Sequence, residues 1–257
     1  MNARIFAVAI LAAVAAQSTL PSTQTTGAAA TAQATNGTIY AFAPAHLRFT
    51  LPPNWTVIPQ EKLDAYNAAA QALAGRRAAP QYLLGLQRKS LFIFDMPYVL
   101  IEVDPGTMPS QAQVDGEVQG FQQSIGLAYR DLHRAGKFGE VISQPALYYE
   151  DAHVIIGHYS MVRMEDRARI GAVTAIFPFR GGFVRFHCYM RFEKQEADMP
   201  VIEELIASVK FDENYGYAPT IVKRSVVKNP TAVVGGVAVL MVIYFIMRIL
   251  AGRSRSR

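Results

Sequence analysis

Alternation of apolar and polar positions predicts most of the elements in this chain. Leu47, Phe49 and Leu51 alternate with His46, Arg48 and Thr50, the period of a half-buried strand. Pro52-Pro53-Asn54 turns the chain, and extended structure resumes from Trp55 to Ile58. From Glu61 to Leu73 the period lengthens: Leu63, Tyr66, Ala70 and Leu73 share one helical face, and Gly75 is the stop. Strands are expected from Tyr82 to Phe94, with a break near Ser90, and from Tyr98 to Val103, where Pro105-Gly106 closes the run. Ser110 and Gln113 form a capping-box pattern ahead of a helix whose stripe is Val114, Val118, Phe121 and Ile125. Gly126 is expected to break that helix, leaving a short helical or irregular stretch to Lys137. Four more strands are expected over 146–150, 153–164, 169–179 and 183–192, joined by turns short enough to link antiparallel neighbours. A last helix is expected from Pro200 to Val209, with Val201, Leu205 and Val209 on one face.

Two apolar runs have no polar face and belong to neither pattern. Residues 231–250, TAVVGGVAVLMVIYFIMRIL, carry no charge before Arg248 and would span roughly 30 Å as a helix, the hydrocarbon thickness of a bilayer. The flanks, Asn229-Pro230 before and Arg253, Arg255 and Arg257 after, fit a single transmembrane helix better than a buried one. Residues 1–16 begin with Arg4, continue apolar from Ile5, and end in small residues, the form of a secretory signal peptide. An uncleaved signal anchor is the alternative. Lys223, Arg224 and Lys228 precede the later helix and four arginines follow it, so charge alone does not orient it. A translocated N-terminus does, placing the domain outside the cytosol and the tail of residues 251–257 inside. Residues 17–38 are small, polar and uncharged, the composition of a disordered spacer. The resulting plan is a folded domain over 39–217, a juxtamembrane linker over 218–230, and the membrane helix. It places the protein in a cell inner membrane, single-pass, with its domain on the periplasmic side.

Net charge changes the picture only by where it falls. The formal +5 is carried by Arg4, Arg248, Arg253, Arg255 and Arg257, while 17–229 balances 20 basic against 20 acidic residues. A nucleic-acid binder would concentrate positive charge on its folded part, so nucleic acid is excluded as a partner. The single cysteine, Cys188, allows no intrachain disulfide.

The stretch LRFTLPPNWTVIPQEKL resembles the opening of PsbP-like domains, where a strand, a turn ending in Trp and a second strand lead into the first helix. AVTAIFPFRGGFVRFHCYMRFEK followed by MPVIEELIASVKFD resembles their final hairpin, helix and closing strand, here Ser208-Val209-Lys210-Phe211. The resemblance covers most of 47–212 and extends to DcrB-like envelope proteins. It implies an α+β fold, an α/β/α sandwich around an antiparallel sheet, to which this chain adds its C-terminal membrane helix. It also implies a binding or assembly module, and brings no catalytic residue with it.

Motifs for chemistry are missing. There is no G-x-S-x-G, no phosphate loop and no H-E-x-x-H. His153 and His158 sit at an odd offset on one expected strand and so point apart, as do the adjacent His187 and Cys188. No catalytic residue, metal or cofactor is therefore expected. Cys188 shares the apolar face of its strand with Val184, Phe186, Met190 and Phe192, where an inert buried thiol is expected. The other face carries Arg185, His187, Tyr189 and Arg191, and by the same alternation Glu102 and Asp104 share a face of an earlier strand. Two readings of this set stand: a solvated sheet face with weak cross-strand ion pairs, or a docking face for a partner. The function expected is a membrane-tethered, non-enzymatic binding or assembly module with an envelope protein as partner. The alternative is a pocket-type domain for a small apolar or anionic ligand, with or without enzymatic action.

Overall fold

The computed structural model describes residues 37–74, 79–134 and 136–218. The expected signal peptide, nearly all of the spacer, the linker after 218, the transmembrane helix and the basic tail lie outside these residues. Among the described residues no helix is long and apolar enough to cross a membrane.

The fold is an antiparallel, sheet-rich α+β arrangement with three α-helices among the described residues. A small sheet takes β1 (Thr38–Phe42), β2 (Leu47–Leu51) and β11 (Lys210–Phe211) in the order β1-β2-β11. The large sheet runs β3 (Trp55–Val57), β4 (Tyr82–Arg88), β5 (Tyr98–Pro105), β10 (Gly182–Arg191), β9 (Arg169–Phe179), β8 (Val154–Arg163) and β6 (Phe138–Ser143). The short β7 (Leu147–Tyr149) also pairs with β8. The helices are α1 (Gln60–Ala74), α2 (Gln111–Arg134) and α3 (Gln195–Ala207).

Each face of the large sheet has its own core. Against one face, α1 contributes Leu63, Tyr66 and Ala70, and α2 contributes Val114, Phe121, Ile125, Ala128, Tyr129 and Leu132. Gly157 on β8 makes room for α2, because a Cβ there would run into the ring of Phe121. Against the other face pack Phe42, Leu47 and Phe49 of the small sheet, together with Ile202 and Leu205 of α3. The expected sandwich is corrected on this side: one helix and a three-stranded sheet form the covering layer. The reason is the closing strand β11, which pairs with β2 rather than joining the large sheet.

Several boundaries differ from the periodicity. The Ser110 cap forms, with the Gln113 side chain accepting from the Ser110 N–H at 2.8 Å, but α2 continues through Gly126 to Arg134. An interior glycine costs about 1 kcal/mol. Burying Tyr129 and Leu132 on the far side outweighs that, since each large apolar side chain contributes about 1.5–3 kcal/mol. Helix α3 starts upstream of the expected Pro200 and keeps that proline inside it. Strand β6 was not expected from the pattern; its register with β8 shifts between Phe138 and Val141, which spoils a clean alternation. The expected 82–94 strand stops at Arg88.

Candidate functional site

The six residues expected to form one face do share a side of the sheet, but α1 and α2 together cover most of it. Arg185 is 3% exposed, and His187, Tyr189 and Glu102 are also buried. The solvated reading is thereby corrected: β10 lies at the sheet's centre between β5 and β9, so its polar positions face α1 and α2 instead of water. Arg185 stands opposite Glu102 in the β5–β10 register. Its guanidinium reaches Asp104 at 3.5 Å, Glu102 at 3.9 Å and, across the layer, Glu117 of α2 at 3.2 Å. Burial works against the guanidinium's charge, but the carboxylates of Glu117, Glu102 and Asp104 outweigh it and hold its pKa above the ordinary arginine value. His187 places Nε2 3.3 Å from Glu102 and Nδ1 3.3 Å from the Thr174 hydroxyl. This network clamps α2 to the sheet.

Beside it lies a cluster of buried phenols. Tyr66 faces Tyr98, Tyr82 faces Tyr189, and Tyr159 faces Tyr129, Tyr189 and Thr174. Burial pushes these phenols above their ordinary pKa, and none of the six hydroxyls completes a hydrogen bond of good geometry. Burial likewise pushes the Cys188 thiol up, so it is inert packing on the opposite face, as expected.

Arg191, the last expected site residue, is exposed and belongs to a different neighbourhood. It lines a groove of about 490 Å³ at one end of the sheet, with Phe92, Asp95, Arg163, Asp166 and Arg169. Arg163 grips Asp166 with two hydrogen bonds, of 2.9 and 2.6 Å, and this pairing holds the Asp166 carboxyl down at about 2. Arg169 lies 3.8 Å over the Phe192 ring and donates to the Ser160 hydroxyl, with no carboxylate in ion-pair range among the described residues. Arg191 meets Asp95 only at 3.9 Å.

The loop over this groove, residues 89–97, is held from both sides. The buried Gln87 amide donates to the Phe92 carbonyl at 3.0 Å and accepts from the Phe94 N–H at 2.7 Å. Ser90 donates to Asp95 at 2.9 Å, and the Lys89 N–H donates to the Asn54 carbonyl at 2.7 Å. Phe94, in the left-handed region at φ 60°, turns inward against Tyr66 and Tyr98. That fold-back leaves Leu91 97% and Phe92 60% exposed. Periodicity read these residues as strand; the signal available in the sequence was Ser90 and the Asp95-Met96-Pro97 turn chemistry, which interrupts the alternation.

A second groove, of about 570 Å³, lies on the opposite face of the sheet and towards its other end, between α3 and β8–β9. Its walls are apolar, including Val154, Val173, Phe177 and Ile202, with His158, Asp151 and Glu203 as its ionisable groups. Partial burial lowers the His158 pKa and the nearby Glu203 carboxylate opposes this. His153, outside β8 and bonded to Tyr148, is not brought to His158. Among the described residues no group of three His, Cys, Asp or Glu is arranged to hold a metal.

No protein-family model matches this chain, and no curated protein is significantly similar to it in sequence. Similar solved structures include the solution structure of cyanobacterial PsbP (CyanoP) from Synechocystis. It is 10% identical, with a TM-score of 0.41, and the match covers 72% of this chain and 98% of that one. Another is the crystal structure of the Saccharomyces cerevisiae Ran-binding protein Mog1p, 8% identical, with a TM-score of 0.38, covering 68% of this chain and 95% of that one.

Proposed function

We propose that this chain is a membrane-tethered, extracytoplasmic module that binds a protein partner through the 89–97 loop and its arginine groove. The observation that carries the reading is the loop itself. Its backbone is pinned by Gln87 and Ser90 while its two apolar tips are held out in solvent. Preorganised apolar groups lose little conformational freedom on docking, and burying Leu91 and Phe92 is worth about 1.5–3 kcal/mol each. Arg169, with no carboxylate in ion-pair range among the described residues, and Arg191, 3.9 Å from Asp95, flank them in a groove that Glu165, Asp166 and Glu193 also line. The partner surface that fits is an apolar pocket with a carboxylate at its edge.

The loop and the last described residue lie at opposite ends of the sheet. The described chain ends at the other end of β9, where Gly216 bridges to Phe179 and Tyr217 packs on His153. Eleven residues of β9 put roughly 35 Å between its ends. Residue 218 therefore lies at the end of the sheet away from the loop. The membrane assignment rests on the apolar run at 231–250, and the extracytoplasmic side rests on the signal-like N-terminus.

Co-purification from membranes tests the docking. Leu91→Ser with Phe92→Ser should abolish recovery of the partner without changing the melting temperature. Undiminished recovery would move the interface elsewhere. Impermeant thiol labelling of intact cells tests topology, and is clean because Cys188 is buried. Ser18→Cys should label and Ser254→Cys should not; the reverse pattern would invert the assignment.

A further inference from the structure

The groove between α3 and β8–β9 is unrelated to the loop end, and its own chemistry points to a ligand. We propose that it binds a small amphiphile, an apolar chain or ring carrying a cationic head.

The apolar half of this assignment comes from the walls. Residues Val154, Ile156, Val173 and Phe177 present the sheet side, while Met199, Ile202, Ile206 and Val209 present the helix side and the turn after it. At about 570 Å³ the groove has the volume and the predominantly apolar lining of a small-molecule site, with only a few polar groups to orient an occupant. The small sheet and α3 cover this face elsewhere, so the groove is where the second core comes to the surface.

The charge of the head comes from the rim. Asp151 follows β7 and Glu203 projects from α3; no lysine or arginine lines the groove. Neither carboxylate has an ion-pair partner within 4 Å among the described residues. His158, the one basic group, is disfavoured in its charged form by burial. Tyr149 adds a half-exposed aromatic ring at the same rim, a surface suited to an ammonium group. An anionic head would meet two carboxylates and no cation. This replaces the anionic ligand that the sequence left open with one of opposite charge.

The test uses the full chain in lipid nanodiscs, with hexyltrimethylammonium as the probe and hexanoate as its charge-reversed control. The readout is methyl NMR. Saturable shifts are expected at Met199, Ile202, Ile206 and Ile156, with none at Ile39 or Ile93, and hexanoate should leave all of them in place. Ala207→Trp, an exposed position on the groove's edge, should abolish the response by filling the opening. Glu203→Gln should weaken the probe by roughly two- to fivefold, the range of a solvent-exposed charge pair. Equal shifts with hexanoate, or an unchanged affinity in Glu203→Gln, would overturn the head-group assignment. Shifts spread over all methyls, no shifts at all, or a response surviving Ala207→Trp would overturn the site. None of these outcomes bears on docking at the loop end, which is read separately by partner recovery.

Discussion

Arg185 and Arg191 lie on one strand, on the same side of its alternation, six residues apart, yet they are opposite kinds of residue. Arg185 is sealed beneath α2 and held by three carboxylates from β5 and α2. Arg191 stands at the strand's end with a loose contact to Asp95 and most of its side chain in solvent. One arginine is part of how the layers are fastened; the other is available to something outside. Strand alternation assigns a residue to a side of the sheet, but whether that side is wet depends on a helix seventy residues away in sequence.

The strongest way to break this contrast is Arg185→Glu. It sets four carboxylates together in the interior and should cost about 3–5 kcal/mol, the range for disrupting a buried charge pair, as measured by urea denaturation. A loss below 1 kcal/mol would mean that α2 does not close over the strand. Glu117→Gln tests the clamp from the helix side. It removes one partner of three and should cost about 1–2 kcal/mol, because Asp104 and Glu102 still neutralise the guanidinium. Tyr159→Phe probes the neighbouring phenols. Its hydroxyl completes no good hydrogen bond, so the loss should stay below about 1 kcal/mol, and a larger one would reveal a partner for it.

The smallest effects belong to exposed groups. Arg191→Glu should change stability by less than about 0.5 kcal/mol while reducing partner recovery, and a stability loss like that of Arg185→Glu would erase the distinction. His158 gives a weak pH dependence of predictable sign. Its folded pKa lies below the ordinary 6.5, so between those values the unfolded chain binds more protons. Stability should therefore fall slightly as pH drops through 6.5 and level off below the folded pKa. His158→Gln should remove that slope. Glu203 of α3 and Asp151 of the turn face the same groove, so the comparison is made against the otherwise unchanged chain.

What the sequence determined by itself is local. The period of 47–51, the capping box at Ser110 and Gln113, and the apolar face carrying Val184, Phe186, Cys188 and Met190 are all written in neighbouring residues and form as read, whereas Phe192, expected on that same face, falls past the end of β10 and is 36% exposed. The apolar run at 231–250 is equally local as a pattern, and the membrane helix expected from it lies outside the described residues. What only the tertiary structure decided is which polar residues meet water. Arg185, His187 and Glu102 read as surface because their alternation is the same whether solvent or a second layer faces them. Leu91 and Phe92 read as strand because Ser90 and Asp95-Met96-Pro97 mark an interruption but not the Gln87 side chain that folds the loop back. The grooves depend on packing between segments far apart in the chain: α3 leaves one open along β8–β9, and the folded-back loop bounds the other. Burial is a property of the assembled layers, and a one-dimensional pattern carries only half of it, the side but not what covers that side.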